Sequence, residues 1–141
     1  MKNILVDTGF WFGLYDSRDN YFKQANELID YLTLAQILIP FPTIYETINT
    51  RFSKNQIGIK SFEKLINQPN VSLVNDNEYK DKALELTFES SIRLKKPYSL
   101  VDMILRLMLD DTNLKIDYLI SFNPSDFFDV CSKRNIEIIT E

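Results

Sequence analysis

Short apolar runs, each too brief to form a helix, alternate along this chain with longer amphipathic segments. Runs rich in β-branched residues predict strands over residues 4–6, 37–39, 71–74, 118–120 and 136–139. Apolar residues at three- and four-residue spacings predict helices over residues 20–32, 42–52, 59–67, 78–94 and 99–109. Because parallel strands need long crossover connections, this alternation predicts an α/β fold, in which a central, mostly parallel β-sheet is flanked by helices.

Several boundaries of these elements carry local signals. The first strand is expected to stop at a polar turn over residues 7–9, and Asp19 or Asn20 is expected to cap the helix after it. Pro42 suits the first turn of the 42–52 helix. Ser99, with Asp102 three residues later, forms a capping-box pattern. These starts put Glu46 and Asp102 in the first turns of their helices.

The length of 141 residues and a hydrophobic content of 45% suit one domain over residues 1–141 with a single core. No Gly- or Ser-rich linker interrupts the sequence, and no apolar run reaches the length of a membrane span or of the core of a signal peptide. We therefore expect a cytoplasmic protein with no membrane partner. The single cysteine, Cys131, has no internal partner for a disulfide and is expected in the core.

The chain contains no histidine. This absence excludes the commonest general base near neutral pH and the commonest zinc ligand, so that catalysis would depend on carboxylates, hydroxyls, lysines or metals. The net charge of −4 is unusual for a protein that binds nucleic acid. It does not exclude one, because two divalent cations bound at one acidic site would offset that charge.

Carboxylate and amide side chains stand directly after two predicted strands and near the starts of two predicted helices. Asp7 and the segment 121–123 come directly after predicted strands, so that both should emerge at the same edge of a parallel sheet. Glu46 and Asp102 stand in helices that could begin at this edge. Four segments would then offer oxygen ligands to one place, which suits Mg²⁺ or Mn²⁺.

Each of these acids also has a structural explanation. Asp7 could close an Asx-turn, Glu46 and Asp102 could be favourable first-turn acids, and Asp126 could cap a short helix. Gathering them is costly without compensation, because two carboxylates about 4 Å apart repel by roughly 1–4 kcal/mol. The spacing alone therefore leaves structural and metal-binding roles open.

Four segments together resemble the PIN-domain family: residues 7–11 (DTGFW), 42–46 (PTIYE), 99–102 (SLVD) and 121–127 (SFNPSDF). Residues 19–25 are also similar to the start of the family's first long helix. The first three acidic positions of the family correspond to Asp7, Glu46 and Asp102. The fourth corresponds to Asn123, with Asp126 three residues later, and either residue could fill it.

The resemblance implies a PIN-like three-layer fold and a metal-dependent endoribonuclease that hydrolyses RNA phosphodiester bonds. Many members are toxins of toxin–antitoxin pairs and are often homodimers, so that an antitoxin and a second copy are the implied partners. Implied metal ligands, for one or two Mg²⁺ or Mn²⁺ ions, are Asp7, Glu46, Asp102 and Asp126, with Asn123 as a further catalytic residue. Candidate substrate contacts are Ser121, Thr8, Arg51, Lys95 and Lys96.

Two other functions compete with this interpretation. A phosphatase-type hydrolase would use Asp7 as a nucleophile, although such enzymes commonly have a second Asp where Gly9 stands. A non-catalytic PIN-like interaction module would bind a partner through its aromatic residues. The aromatic cluster of Phe10, Trp11, Phe12 and Tyr15 is expected mainly in the core or at a dimer face.

Overall fold

The fold is described from a computed structural model, which defines residues 1–140. Five strands form one sheet: β1 (Asn3–Val6), β2 (Gln36–Pro40), β3 (Val71–Val74), β4 (Tyr118–Ile120) and β5 (Glu137–Ile139). Their order in the sheet is β3-β2-β1-β4-β5, and every neighbouring pair is parallel. The predicted α/β class is confirmed, and the sheet in the described residues is wholly parallel.

Eight α-helices connect or follow these strands within residues 1–140. They are α1 (Thr8–Tyr15), α2 (Phe22–Leu32), α3 (Phe41–Thr47), α4 (Thr50–Ser53), α5 (Gln56–Ile66), α6 (Lys80–Ile92), α7 (Leu100–Asp110) and α8 (Phe128–Arg134). A short 3₁₀ turn, Pro124–Asp126, precedes α8. None of the helices in this part of the chain is both long enough and apolar enough to cross a membrane.

The helices cover both faces of the sheet. Alternate β1 residues point to opposite sides, so that Ile4 and Val6 pack in one core cluster with α1, α2 and α5, while Leu5 packs in a second cluster with α7 and α8. Helix α6 packs against α7 in a smaller third cluster. The result is a three-layer arrangement with β1 at the centre of the sheet.

Aromatic residues fill the first of these clusters. Phe10, Trp11 and Phe62 are each 0% exposed, and the ring centroids of Trp11 and Phe62 are 5.2 Å apart. The predicted core position is therefore confirmed for Phe10 and Trp11. Phe12 and Tyr15, on the same helix, are only partly buried.

Three local predictions were wrong. Residues 7–9 do not form a turn, because α1 begins at Thr8 with Asp7 as its N-cap. Neither Asp19 nor Asn20 caps α2; Asp19 instead accepts a bond from the backbone N–H of Tyr21, at 2.8 Å, in the loop before it. The predicted 42–52 helix is two helices, since the backbone of Ile48 leaves the helical region (ψ 64°). Helix α8 was not predicted.

Candidate active site

The central position of β1 brings Asp7 next to the end of β4. Val6 pairs with Ile120, and the backbone N–H of Asp7 donates to the carbonyl of Ile120 at 3.0 Å. Ser121, which is 0% exposed, donates from Oγ to Oδ2 of Asp7 at 3.0 Å. The backbone N–H of Thr8 donates to Oδ1 at 2.7 Å. Both carboxylate oxygens of Asp7 are thus held, at the edge of the sheet where the sequence places them.

Glu46 reaches the same edge through α1. The Thr8 hydroxyl donates from Oγ1 to Oε1 of Glu46 at 2.7 Å. The expectation that Glu46 lies in the first turn of its helix was wrong, because α3 starts at Phe41 directly after β2 and ends at Thr47. Glu46 therefore lies in the last turn of α3.

Asp102 lies in the first turn of α7, as predicted. Ser99 is the N-cap, and its Oγ accepts a bond from the backbone N–H of Asp102 at 3.0 Å. Burial raises the pKa of the Asp102 carboxyl to about 6. Repulsion from the charges of Asp7, Asp126 and Glu46 adds to this effect, whereas the interaction with Ser99 opposes it.

The pKa of Asp7 is also raised, chiefly by burial. The bonds from Thr8 and Ser121 lower it, and repulsion from Glu46 and Asp126 raises it further. The charges of Glu46 and Asp126 thus act on both Asp7 and Asp102, and we call these four carboxylates the acidic cluster: Asp7, Glu46, Asp102 and Asp126. None of the ion pairs within residues 1–140 involves a member of this cluster.

Asn123 and Asp126, the two candidates for the fourth position, are joined by a hydrogen bond. The backbone N–H of Asn123 donates to Oγ of Ser121 at 3.0 Å, and its side-chain Nδ2 donates to Oδ2 of Asp126 at 2.6 Å. A continuous chain of hydrogen bonds thus runs from Asp7 through Ser121 and Asn123 to Asp126. In this arrangement Asp126 offers the carboxylate and Asn123 holds one of its oxygens.

The candidate phosphate contacts lie outside this network. Arg51 in α4 pairs with Asp16 at 3.1 Å. Lys95 adopts a left-handed backbone conformation (φ 51°) in the loop after α6, and Nζ of Lys96 lies 5.8 Å from the centre of the Tyr98 ring. No hydrogen bond or ion pair in the described part of the chain joins these three cations to the acidic cluster.

Sequence reasoning missed Arg106, which lies in α7 one turn after Asp102. Its Nη1 donates to the backbone carbonyl of Asp126 at 2.6 Å, and its two terminal nitrogens bind both carboxylate oxygens of Asp129 at 2.8 and 2.6 Å. The spacing of four residues, which places Asp102 and Arg106 on one helix face, was the only signal in the sequence.

The donor chemistry of the acidic cluster fits a hard divalent cation. Its members are oxygen ligands, and no basic side chain in the described residues forms an ion pair with them. The carboxylates are nevertheless spaced apart, since residues 1–140 contain no three acidic or cysteine side chains placed as ligands of one ion. The residues that could hold Mg²⁺ or Mn²⁺ by their chemistry are Asp7, Glu46, Asp102 and Asp126, and in this arrangement they are not gathered around one ion position.

The raised pKa of Asp102 predicts a pH-dependent effect of Asp102→Asn on the metal-free protein. The folded state binds a proton at a pKa of about 6, whereas the ordinary value is 3.8. The ionised group therefore destabilises the fold above pH 6, and this penalty disappears as the pH falls below the ordinary value. Asparagine cannot ionise, so we expect Asp102→Asn to gain about 1 kcal/mol at pH 7.5, after allowance for solvent screening.

Urea denaturation in EDTA at pH 7.5 and at pH 4 measures this gain. At pH 4 the two proteins should unfold at closely similar urea concentrations. A variant that is no more stable than wild type at pH 7.5 would show that ionisation of Asp102 does not destabilise the fold.

Comparison with known proteins identifies the fold of the chain. No protein-family model matches the chain, and no curated protein matches it in sequence. The crystal structure of VapC20 from Mycobacterium tuberculosis, a toxin that cleaves the sarcin-ricin loop, is similar to it with a TM-score of 0.66. The similarity covers 87% of this chain and 92% of that one, at 16% sequence identity. The chain therefore has the PIN-like fold that its motifs predicted, with a parallel sheet between two helical layers.

Proposed function

We propose that this chain is a metal-dependent endoribonuclease whose acidic cluster binds Mg²⁺ or Mn²⁺ and hydrolyses RNA. The observation that carries the proposal is the gathering of four carboxylates without an ion-pair partner, from separate segments, at the edge of the sheet where β1 and β4 end. In open parallel sheets this edge is the usual location of a functional site. The same fold occurs in VapC20, a toxin that cleaves RNA at the sarcin-ricin loop.

The hydrogen bonds support a role for each polar neighbour of the cluster. The hydroxyl of Thr8 donates a hydrogen bond to Glu46, and the hydroxyl of Ser121 donates one to Asp7. We therefore infer that both hydroxyls orient carboxylates, and a substrate contact through either residue would require that bond to break. Asn123 similarly fixes one oxygen of Asp126.

The raised pKa values of Asp7 and Asp102 support a role for a cation. Holding both groups ionised together costs free energy in the metal-free protein, and a divalent ion offsets that cost. A bound Mg²⁺ or Mn²⁺ would lower the pKa of a water molecule and stabilise negative charge on the scissile phosphate. In this proposal the carboxylates hold the cation that activates water, so that no histidine is needed.

Three further parts of the proposal concern partners. The similarity to VapC20 supports a toxin role, and with it an antitoxin partner. Arg51, Lys95 and Lys96 are all exposed and are proposed to contact RNA phosphates beyond the scissile bond. A homodimer is supported by the exposed apolar residues of α3 and its C-cap, namely Phe41, Tyr45 and Ile48, which are 37%, 75% and 39% exposed.

Tyr45→Asp tests the dimer. A charge in the centre of the α3 face should weaken self-association by at least about 30-fold, because aromatic residues at the centre of an interface commonly contribute 2 kcal/mol or more. Sedimentation equilibrium measures the dissociation constant. Tyr31→Asp, at an exposed tyrosine on α2, serves as the matched control, and an equal shift in both variants, or a monomeric wild type, would contradict the proposal.

Mapping the ends of cleaved RNA tests the nuclease proposal. The protein is incubated with a mixed RNA pool and Mn²⁺, and both ends of every product are sequenced and chemically typed. Attack by water leaves a linear phosphate monoester, whereas attack by the RNA 2′-hydroxyl leaves a cyclic 2′,3′-phosphate. We expect linear phosphates at defined sites.

Two other outcomes favour the competing functions. Metal binding without cleavage of any RNA would favour a non-catalytic interaction module. A phosphoenzyme trapped on Asp7 would favour a phosphatase-type hydrolase, although both oxygens of Asp7 already accept hydrogen bonds in this structure.

A further inference from the structure

Arg106 connects two sides of the acidic cluster. It lies in α7, four residues after Asp102, and its Nη1 donates to the backbone carbonyl of Asp126 at 2.6 Å. The same guanidinium forms a forked pair with Asp129 near the start of α8, at 2.8 and 2.6 Å. One side chain thus connects the helix that carries Asp102 to the segment that carries Asp126.

The positive charge of Arg106 is paired within the protein. Its side chain is 17% exposed, and the Asp129 carboxylate occupies its fork. The central carbon of the guanidinium lies 4.5 Å from the centre of the Tyr98 ring, which restricts its orientation further. Arg106 is therefore not free to bind an RNA phosphate in this arrangement, unlike a solvent-exposed arginine.

The segment that carries Asp126 has little regular structure to hold it. It is a 3₁₀ turn of three residues, Pro124–Asp126, and the backbone bond from Asp126 to Asn123 is long, at 3.4 Å. So short a turn does not by itself fix the position of a side chain. The bond from Arg106 supplies a fixed point directly at the backbone of Asp126.

We propose that Arg106 is a positioning residue, which holds Asp126 at a set separation from Asp102 so that both carboxylates can bind the same divalent ion. The proposal rests on the metal site described under the proposed function, and it concerns the affinity of that site. The guanidinium does not touch substrate or metal in this arrangement. It acts through the backbone of Asp126 and through α8.

The shape of arginine explains why its charge alone would not suffice. The planar fork donates two parallel bonds to Asp129 while Nη1 also reaches the Asp126 carbonyl. Lysine has a similar charge and reach, but its single ammonium group cannot form the forked pair. Arg106→Lys is therefore the informative substitution, because it keeps the charge and removes the geometry.

The test is Mn²⁺ binding to metal-free protein, measured without RNA from the electron paramagnetic resonance signal of free Mn²⁺. Loss of a residue that orients a metal ligand typically weakens metal affinity by about 10–100-fold, and we expect Arg106→Lys to fall in this range. Asp129→Asn should weaken Mn²⁺ binding less, since Arg106 keeps its bond to Asp126. Asp129 is exposed, so this second variant carries little risk of misfolding.

Lys133→Met is the matched control. Nζ of Lys133 pairs with Asp110 at 2.7 Å, so that it also connects α8 with α7, but it makes no contact with Asp126. This variant should bind Mn²⁺ like wild type. Thermal unfolding of all variants in EDTA would show whether any change in Mn²⁺ affinity follows a general loss of stability.

A double-mutant comparison separates positioning from a general structural role. If Arg106 acts through Asp126, then Asp126→Asn should weaken Mn²⁺ binding in the wild-type background and have little further effect beside Arg106→Lys. Equal effects of Asp126→Asn in both backgrounds, or wild-type Mn²⁺ affinity in Arg106→Lys, would overturn the proposal.

The same measurements distinguish this proposal from the nuclease proposal. Mn²⁺ binding that depends on Arg106, in a protein that cleaves no RNA, would support the positioning role and reject the nuclease. RNA cleavage by wild type, with unchanged Mn²⁺ affinity in Arg106→Lys, would support the nuclease and reject the positioning role. A wild type that binds no Mn²⁺ would reject the shared metal site and with it the positioning role.

Discussion

Asp7→Asn is expected to reduce RNA cleavage by at least about 1000-fold, because metal ligation at a catalytic carboxylate contributes several kcal/mol to the transition state. Asp7 is the member of the acidic cluster whose two carboxylate oxygens both accept hydrogen bonds, from Thr8 and Ser121. An asparagine at position 7 keeps the shape but removes the charge that a cation needs.

The measurement is the initial rate of cleavage of one mapped RNA site at saturating Mn²⁺. Asp30→Asn, at an exposed aspartate of α2, is the matched control and should cleave at the wild-type rate. The Asp7→Asn protein should also be at least as stable as wild type in EDTA, since the raised pKa of Asp7 means that its ionised form strains the metal-free fold. Cleavage by Asp7→Asn within 10-fold of wild type would remove Asp7 from the site.

Phe62→Ala is expected to lower the free energy of unfolding by about 3–5 kcal/mol, the usual cost of removing a buried aromatic ring. Phe62 is 0% exposed, and its ring lies 5.2, 6.0 and 6.0 Å from the rings of Trp11, Tyr15 and Phe52. Two of these partners lie in α1, the helix that carries Thr8. A cavity at Phe62 should therefore loosen the helix that positions Asp7 and Glu46.

Urea denaturation of the metal-free protein measures this loss. Phe88→Ala is the matched control, because Phe88 lies in α6 and is 59% exposed. Its effect should stay within about 0.5 kcal/mol, as for most surface substitutions. A cost below 1 kcal/mol for Phe62→Ala would mean that the aromatic cluster is not the structural support of α1.

The strands were predictable because each is a short apolar run that ends at a polar or proline-containing segment. Once the strands are parallel, the position of Asp7 beside Ser121 follows, since β1 and β4 are neighbours and both residues come directly after strand ends. The start of α7 was predictable as well, because Ser99 signals an N-cap through a local hydrogen bond. Interactions that are local, or that follow from strand direction, can be read from sequence.

Helix α1 could not be read in this way. Its sequence, TGFWFGLY, is apolar on nearly every side and contains two glycines, so that it has no amphipathic stripe. The helix is stabilised by burial of Phe10 and Trp11, which is a property of the whole fold. The break between α3 and α4 had a weak local signal in Asn49, whose side chain caps α4 by accepting from the backbone N–H of Phe52.

The fourth position of the acidic cluster depends on tertiary contacts. Sequence reasoning left Asn123 and Asp126 as alternatives, and the structure joins them by a hydrogen bond of 2.6 Å. The bond from Arg106 to the backbone of Asp126 spans 20 positions and requires α7 and α8 to pack together. Helix α8 was considered only as a short helix that Asp126 could cap, so that this contact could not be predicted either.

If the acidic cluster cleaves RNA with the help of a divalent cation, cleavage must depend on that cation. The most direct test is cleavage of the RNA pool by wild-type protein after removal of metal with EDTA, followed by replacement of the chelator with Mn²⁺ or Mg²⁺. We predict that cleavage stops in EDTA and returns at the same sites when the metal is restored. Cleavage at an unchanged rate in EDTA would contradict the claim.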